Sequence, residues 1–78
     1  MISAEVAVYP LKTKNASNII NKSINMLNGS NVEYSVNSIN TVITGLKEDV
    51  FQNLQKMFNE AEEKGGEINM VVTISNSN

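Results

Sequence analysis

The sequence predicts an α+β fold in which two helices cover one face of a four-stranded antiparallel sheet. Four segments alternate apolar and polar side chains or are rich in β-branched residues, which is typical of strands. Two segments repeat apolar residues with the spacing of an amphipathic helix. The six segments follow the order strand, helix, strand, strand, helix, strand, and we expect the 78 residues to form one domain, 1–78.

The first strand and the first helix are predicted from two different periodicities. In residues 2–9 every second side chain is apolar, so one face of the strand holds Ile2, Ala4, Val6 and Val8. Pro10 is expected to end this strand because it has no backbone N–H to donate. Residues 17–28 repeat apolar side chains on one side of a helix, and Gly29 follows where a left-handed residue is expected.

The middle of the chain predicts a β-hairpin. Residues 32–37 alternate, and the side chains that share a face are Val32, Tyr34 and Val36. Residues 39–44 are rich in β-branched side chains, which favours a third strand that ends at Gly45. The two strands are so close in sequence that a turn at Asn37-Ser38 is the simplest connection.

The last third of the chain predicts a long helix and a strand. Residues 47–64 carry an apolar stripe formed by Val50, Leu54, Met57, Phe58 and Ala61. The helix is expected to stop at Gly65-Gly66. In the strand at 67–75, the central residues Met70-Val71-Val72 are apolar on both faces, which predicts a central strand covered on both sides.

The order of the elements predicts the topology. A β-α-β-β-α-β chain with right-handed crossovers usually forms an antiparallel sheet of order 4-1-3-2 with both helices on one face, the ferredoxin-like two-layer sandwich. The alternatives are a different α+β arrangement and a swapped dimer. The sandwich leaves one sheet face bare, and its semi-apolar residues would be Ala7, Tyr9, Val42 and Val71. We expect this face to pair with the same face of a second subunit.

The composition excludes several kinds of catalytic chemistry. The chain contains no His, Cys, Trp or Arg. Without Cys it has no disulfide, thiolate nucleophile or zinc–thiolate site, and without His it has no Ser–His or Cys–His pair. We therefore expect a protein that is not an enzyme and that holds no metal or cofactor.

Charge and hydropathy narrow the partners and the location. The net charge is −2 and there is no Arg, which argues against a nucleic-acid partner. No apolar run approaches the roughly 18–20 residues of a membrane span, and residues 1–5 lack the basic start of a signal peptide. We expect no membrane partner, and the absence of Cys agrees with a cytoplasmic location.

Three strand residues could carry recognition chemistry. Glu5 is a lone carboxylate in mid-strand, and in a dimer it would need a partner: a Lys or hydroxyl across the interface, or a cationic or amine group of a ligand. Tyr9 and Tyr34 could pack in the core or the interface. Alternatively, each could stack on a heteroaromatic ring and use its hydroxyl as a polar handle.

The chain resembles the thiamine-binding, YkoF-like proteins over nearly its full length. The resemblance rests on the order and spacing of Ala4-Glu5-Val6-Ala7-Val8-Tyr9-Pro10-Leu11, Val32-Glu33-Tyr34, Asn40-Thr41-Val42-Ile43-Thr44-Gly45 and Lys64-Gly65-Gly66. It implies a ferredoxin-like domain that associates through its sheets into a homodimer or homotetramer. It also implies binding of thiamine or its hydroxymethylpyrimidine part, in thiamine supply or salvage, with no reaction.

The resemblance also implies where a ligand is held. Glu5 and Thr41 would hydrogen-bond the pyrimidine, and Tyr9 or Tyr34 would stack on a ring. Thr44 completes the candidate set and stands where the family has a Glu. The chain departs from the family's pattern at three further places: Lys12, Asn40 and the tail Ser75-Asn76-Ser77-Asn78. These departures favour an alternative function, a sheet-paired interaction or regulatory module without a thiamine ligand.

Overall fold

The six predicted elements are all present, in the predicted order. The computed structural model describes residues 1–77, so Asn78 of the tail lies outside the described residues. The elements are β1 (Ile2–Pro10), α1 (Ala16–Asn25), β2 (Glu33–Val36), β3 (Thr41–Gly45), α2 (Lys47–Gly65) and β4 (Ile68–Ser75). No helix within residues 1–77 combines the length and the apolar character needed to cross a bilayer.

Helix α1 is shorter than its apolar pattern predicts. The α-helix ends at Asn25, and the chain continues in tighter turns, in which the N–H of Leu27 donates to the carbonyl of Ile24 and the N–H of Asn28 to that of Asn25. Leu27 stays buried, so the apolar stripe extends beyond the last helical residue. Gly29 has a φ of +74°, as predicted for the residue that reverses the chain.

The sheet confirms the predicted ferredoxin-like topology. Its order is β2-β3-β1-β4, which is the predicted 4-1-3-2 viewed from the other edge, and all three pairings are antiparallel. Val6 lies opposite Thr41 on β3 and opposite Val72 on β4. The side chains of β1 therefore alternate between a helix-covered face and a bare face.

The prediction that the fourth strand is central is wrong. Strand β4 lies at an edge and pairs only with β1. Its Met70 and Val72 pack against the core, whereas Val71 points to the bare face and is 58% exposed. The apolar residues of β4 point to both faces of the sheet. Those on the helix side pack in the core, whereas Val71 contributes to a bare face that no second layer covers within residues 1–77.

The core lies between the sheet and the two helices. It is formed by twelve buried apolar side chains, namely Ile2, Ala4, Val6, Val8, Ile19, Leu27, Val32, Ile43, Val50, Leu54, Met57 and Ala61. Three polar residues are buried with them: Ser23, Thr41 and Asn53. The core contains only small and medium side chains and is thin, as expected for so short a chain.

Ser23→Ala is expected to stabilise the protein by about 0.5–1 kcal/mol. Ser23 lies on α1 and is fully buried, and its hydroxyl has no hydrogen-bond partner among residues 1–77. The substitution removes an unsatisfied polar group and improves helix propensity. Urea unfolding followed by circular dichroism measures the effect.

Ser30→Ala is the matched control because the Ser30 hydroxyl donates to the Leu27 carbonyl at 2.6 Å. This variant is expected to lose about 0.5–1.5 kcal/mol. If both variants shift stability in the same direction, the unpaired state of the Ser23 hydroxyl is not what determines the result.

Candidate functional site

The candidate site arises from a difference in strand length. Strand β1 has nine residues and β3 has five, and their pairing ends where Val6 meets Thr41. On its other side, β1 continues to pair with β4 as far as Pro10. The stretch 7–10 of β1 therefore has no partner strand on the β3 side within residues 1–77.

A cavity of about 240 Å³ occupies this gap. Its walls are formed by α1, α2, the end of β1 and the turn between β2 and β3, and the lining residues are Val6, Ala7, Val8, Tyr9, Ile20, Ile24, Asn37, Ser38, Ile39, Asn40, Thr41 and Met57. No charged side chain is among them. The walls are mainly apolar, with a few hydroxyl and amide groups, which is the usual character of a small-molecule site.

Thr41 provides the most deeply placed polar side chain of this cavity. It is the first residue of β3, it is only 3% exposed, and it faces the helices rather than the bare face. Within residues 1–77, the Thr41 hydroxyl has no hydrogen-bond partner. Thr41 Oγ1 is not among the fully buried unpaired polar atoms, which are Ser23 Oγ and Asn53 Oδ1, so it keeps an accessible surface at which water or a ligand can bind.

Tyr9 and Glu5 lie at the edge of the same region. Tyr9 lines the cavity near the end of β1 and is half exposed, and the alternation of the strand directs its ring to the bare face. Glu5 points to the bare face opposite Val42 and accepts a hydrogen bond from Asn40 Nδ2 at 3.2 Å. Glu5 therefore contacts the cavity only through Asn40.

The turn at 37–40 forms one wall and is held by two kinds of contact. The backbone N–H of Asn37 donates to the carbonyl of Asn40 at 2.8 Å, and the two side chains form a longer contact of 3.4 Å. The Asn40 side chain also donates to Glu5. Glu5 thus links the turn to β1 through this hydrogen bond, next to the gap.

Tyr34 and Thr44 lie outside this cluster. Tyr34 belongs to the edge strand β2, opposite Ile43, and its side chain is partly exposed on the helix side of the sheet. Thr44 lies on the bare face, where its hydroxyl is 3.2 Å from that of Ser3. The structure therefore places Tyr9 and Thr41 at the cavity and Glu5 beside it, while Tyr34 and Thr44 are elsewhere.

Sequence reasoning did not identify the walls of the cavity. Ile20, Ile24 and Met57 read as ordinary core positions, and Asn40 reads only as a departure from a family pattern. No local signal was available, because the β-branched pattern predicted the third strand from residue 39, whereas β3 begins only at Thr41.

A second groove lies at the opposite end of the sheet. It is lined by Ile2, Lys47, Phe51, Ile74, Ser75 and Asn76, and it is larger, at about 440 Å³, but more open. It contains none of the predicted site residues. Within residues 1–77, no group of three His, Cys, Asp or Glu side chains could hold a metal ion. The cavity beside Thr41 is less open and contains predicted site residues, so it is the better candidate.

Comparison with models of protein families identifies the family to which the chain belongs. The model of the YKOF-related family matches residues 1–78. The chain belongs to the YkoF-related family. A comparison with curated proteins finds no significant match for this YkoF-related protein.

Three solved structures share its fold. A protein of Streptococcus pneumoniae aligns with a TM-score of 0.92 and 20% identity, over 99% of this chain and 87% of its own. A hypothetical protein of Methanocaldococcus jannascii aligns with a TM-score of 0.88 and 18% identity, over 99% and 80%. A Thermotoga maritima protein, named as a candidate thiamine biosynthesis/salvage protein, aligns with a TM-score of 0.85 and 16% identity, over 97% and 83%.

Proposed function

We propose that this YkoF-related protein binds thiamine or its hydroxymethylpyrimidine part, without converting it, in thiamine supply or salvage. The observation that carries the proposal is the uncharged, mainly apolar cavity that contains the unpartnered Thr41 hydroxyl. Membership of the YkoF-related family and the similarity to a candidate thiamine biosynthesis/salvage protein support it.

The size of the cavity favours one ring rather than a whole cofactor. Its volume of about 240 Å³ is just below the roughly 300–1,000 Å³ of most small-molecule pockets. An aminopyrimidine would insert with its faces against Ile20, Ile24 and Met57, and one of its polar groups would contact Thr41. The thiazolium of thiamine would remain outside the cavity, toward the bare face, where the half-exposed ring of Tyr9 can attract a cation.

The charges around the cavity favour a ligand without phosphate groups. No Lys lines the cavity, and the nearest carboxylate, that of Glu5, is exposed and bonded to Asn40. A phosphate group usually needs a cationic side chain or several free backbone N–H groups. A neutral pyrimidine or a singly cationic thiamine meets no such requirement.

The groups available favour binding over catalysis. General acid–base catalysis needs a titratable side chain within hydrogen-bond reach of the reacting atom. The cavity is lined by hydroxyl, amide and apolar groups, and the chain has no His or Cys. These groups can orient a heterocycle through hydrogen bonds, and they supply no nucleophile activated by a neighbouring base.

Thr41→Val is expected to weaken ligand binding about tenfold, because it keeps the shape of the side chain and removes its hydroxyl. Isothermal titration calorimetry with thiamine and with hydroxymethylpyrimidine measures the change. Thr44→Val makes the same chemical change on the bare face, outside the cavity, and is expected to leave the affinity unchanged. The absence of both binding heat and a thermal shift at millimolar ligand would refute the proposed function.

The bare face of the sheet supports a homodimer, from which a homotetramer would be built. Ala7 lies opposite Val71, and Glu5 lies between Val42 and Thr73, so apolar and hydroxyl side chains surround one carboxylate. A second copy would cover the apolar part and bring hydroxyl groups to each Glu5. Ala7 and Tyr9 belong both to the bare face and to the lining of the cavity, so a second copy on this face would lie beside one side of the cavity.

The second candidate function is an interaction or regulatory module that acts through this bare face without a thiamine ligand. The observation that favours it is the exposure of Val71 on an otherwise uncovered face. A partner pull-down that succeeds equally with the Glu5→Ala, Thr41→Ala double variant would support it. Loss of the partner in Thr41→Ala alone, which leaves the side chains of the bare face unchanged, would oppose it.

A further inference from the structure

We infer that the main chain of β1 at residues 7–9, rather than a side chain, reads the polar edge of the bound ring. The inference rests on the proposed function and names the ligand class: a heteroaromatic ring with a hydrogen-bond donor beside an acceptor. It begins from the open edge of β1, which no strand within residues 1–77 covers beyond Val6.

The alternation of a β-strand determines which groups are free. In an antiparallel ladder each residue directs its N–H and C=O to the same side, and the next residue directs both to the opposite side. Strand β4 uses one of these two sets along Ala7, Val8 and Tyr9. The other set points to the missing β3 side, so at least one of the three residues presents a paired N–H and C=O there.

These free groups face the cavity. Ala7, Val8 and Tyr9 all line it, together with apolar side chains of α1 and α2. Backbone groups in apolar surroundings are costly to leave unpaired, and the great majority of buried ones have a partner. The turn at 37–40 lies across the gap and keeps out a whole additional strand, but a flat ring could enter.

The partner that matches this edge is an amidine-type ring edge. A residue that offers N–H and C=O on one side pairs with an acceptor adjacent to a donor. A 4-aminopyrimidine presents this pattern through its ring nitrogen and its exocyclic amine. The corresponding 4-oxo ring has nearly the same shape and presents the reverse order, so it can pair with the same residue only when turned over, which moves its 5-hydroxymethyl group to the other end of the edge. Thr41 would add one further contact, but it cannot distinguish the two rings because a hydroxyl both donates and accepts.

Titration of the full ¹⁵N-labelled chain tests the inference, with 4-amino-5-hydroxymethyl-2-methylpyrimidine as the first ligand and its 4-oxo analogue as the second. We expect the largest amide shifts within Ala7, Val8 and Tyr9, and small shifts at Ser3, which lies on the part of β1 paired on both sides. We expect the amino ring to bind at least tenfold more tightly than the oxo ring.

Thr41→Val separates side-chain from main-chain recognition. This variant should weaken both ligands and keep the tenfold preference, because the preference arises from the β1 backbone. If the amino ring binds with no shift at residues 7–9, or if the two rings bind equally, the inference is overturned and the proposed function stands. If neither the two rings nor thiamine binds, the proposed function and the inference both fail.

Discussion

Ile43→Ala is expected to lower the free energy of unfolding by about 2–5 kcal/mol. Ile43 is the fully buried centre of β3, and it lies between Ala4 of β1 and Tyr34 of β2 under the helices. Deleting its side-chain atoms leaves a cavity that small neighbours such as Ala4 cannot fill. Domains hold roughly 0.05–0.15 kcal/mol of stability per residue, or about 4–12 kcal/mol for this length. The loss is therefore a large share of the total.

Ile39→Ala is the matched control, because it removes the same atoms from a side chain that is 81% exposed at the tip of the turn. We expect a change within about 0.5 kcal/mol. Urea unfolding followed by far-ultraviolet circular dichroism suits a chain without Trp. Protein concentration must be held constant, because any oligomer makes apparent stability depend on it. Equal losses for the two variants would show that β3 is not the centre of the core.

Val71→Glu is expected to convert the proposed homodimer to a monomer, raising its dissociation constant at least 100-fold. Val71 is the most exposed apolar residue on the bare face, where it lies opposite Ala7 and near Glu5. In a face-to-face dimer the new carboxylate would be buried close to two existing carboxylates, so desolvation and repulsion would act together. Sedimentation velocity at tens of micromolar measures the result.

Val36→Glu is the matched control for surface charge. Val36 is 55% exposed, nearly as much as Val71, but it pairs with Thr41 and lies on the helix side of the sheet. This variant should keep the wild-type association. A wild-type chain that sediments as a monomer at these concentrations, or an equal effect of both variants, would refute pairing through the bare face.

The elements were predictable because their signals are local. Alternation in residues 2–9 and the apolar stripe of residues 47–64 depend only on which side chains share a face. The topology was predictable because crossover connections between parallel strands are right-handed, and this rule leaves few arrangements for six elements in that order. The end of α1 at Asn25 was not predictable from periodicity, because the same apolar spacing continues to Leu27 through tighter turns.

The site was only partly predictable, because it depends on register. Thr41 and Thr44 are three residues apart on one strand, so they lie on opposite faces, and only Thr41 is buried beside the cavity. Tyr9 and Tyr34 resemble each other in sequence as strand tyrosines. Only Tyr9 lies where β1 extends beyond β3, whereas Tyr34 is on the outer strand.

The sequence by itself determined the class of fold and the chemistry that the protein lacks. Periodicity decides which residues can share a buried face, and missing His, Cys and Arg cannot be supplied by folding. The tertiary structure alone decided that β4 is an edge strand, that β3 begins only at Thr41 and that a cavity opens beside the free edge of β1. These features depend on pairing between residues that are distant in sequence, and no local pattern records which strand ends first.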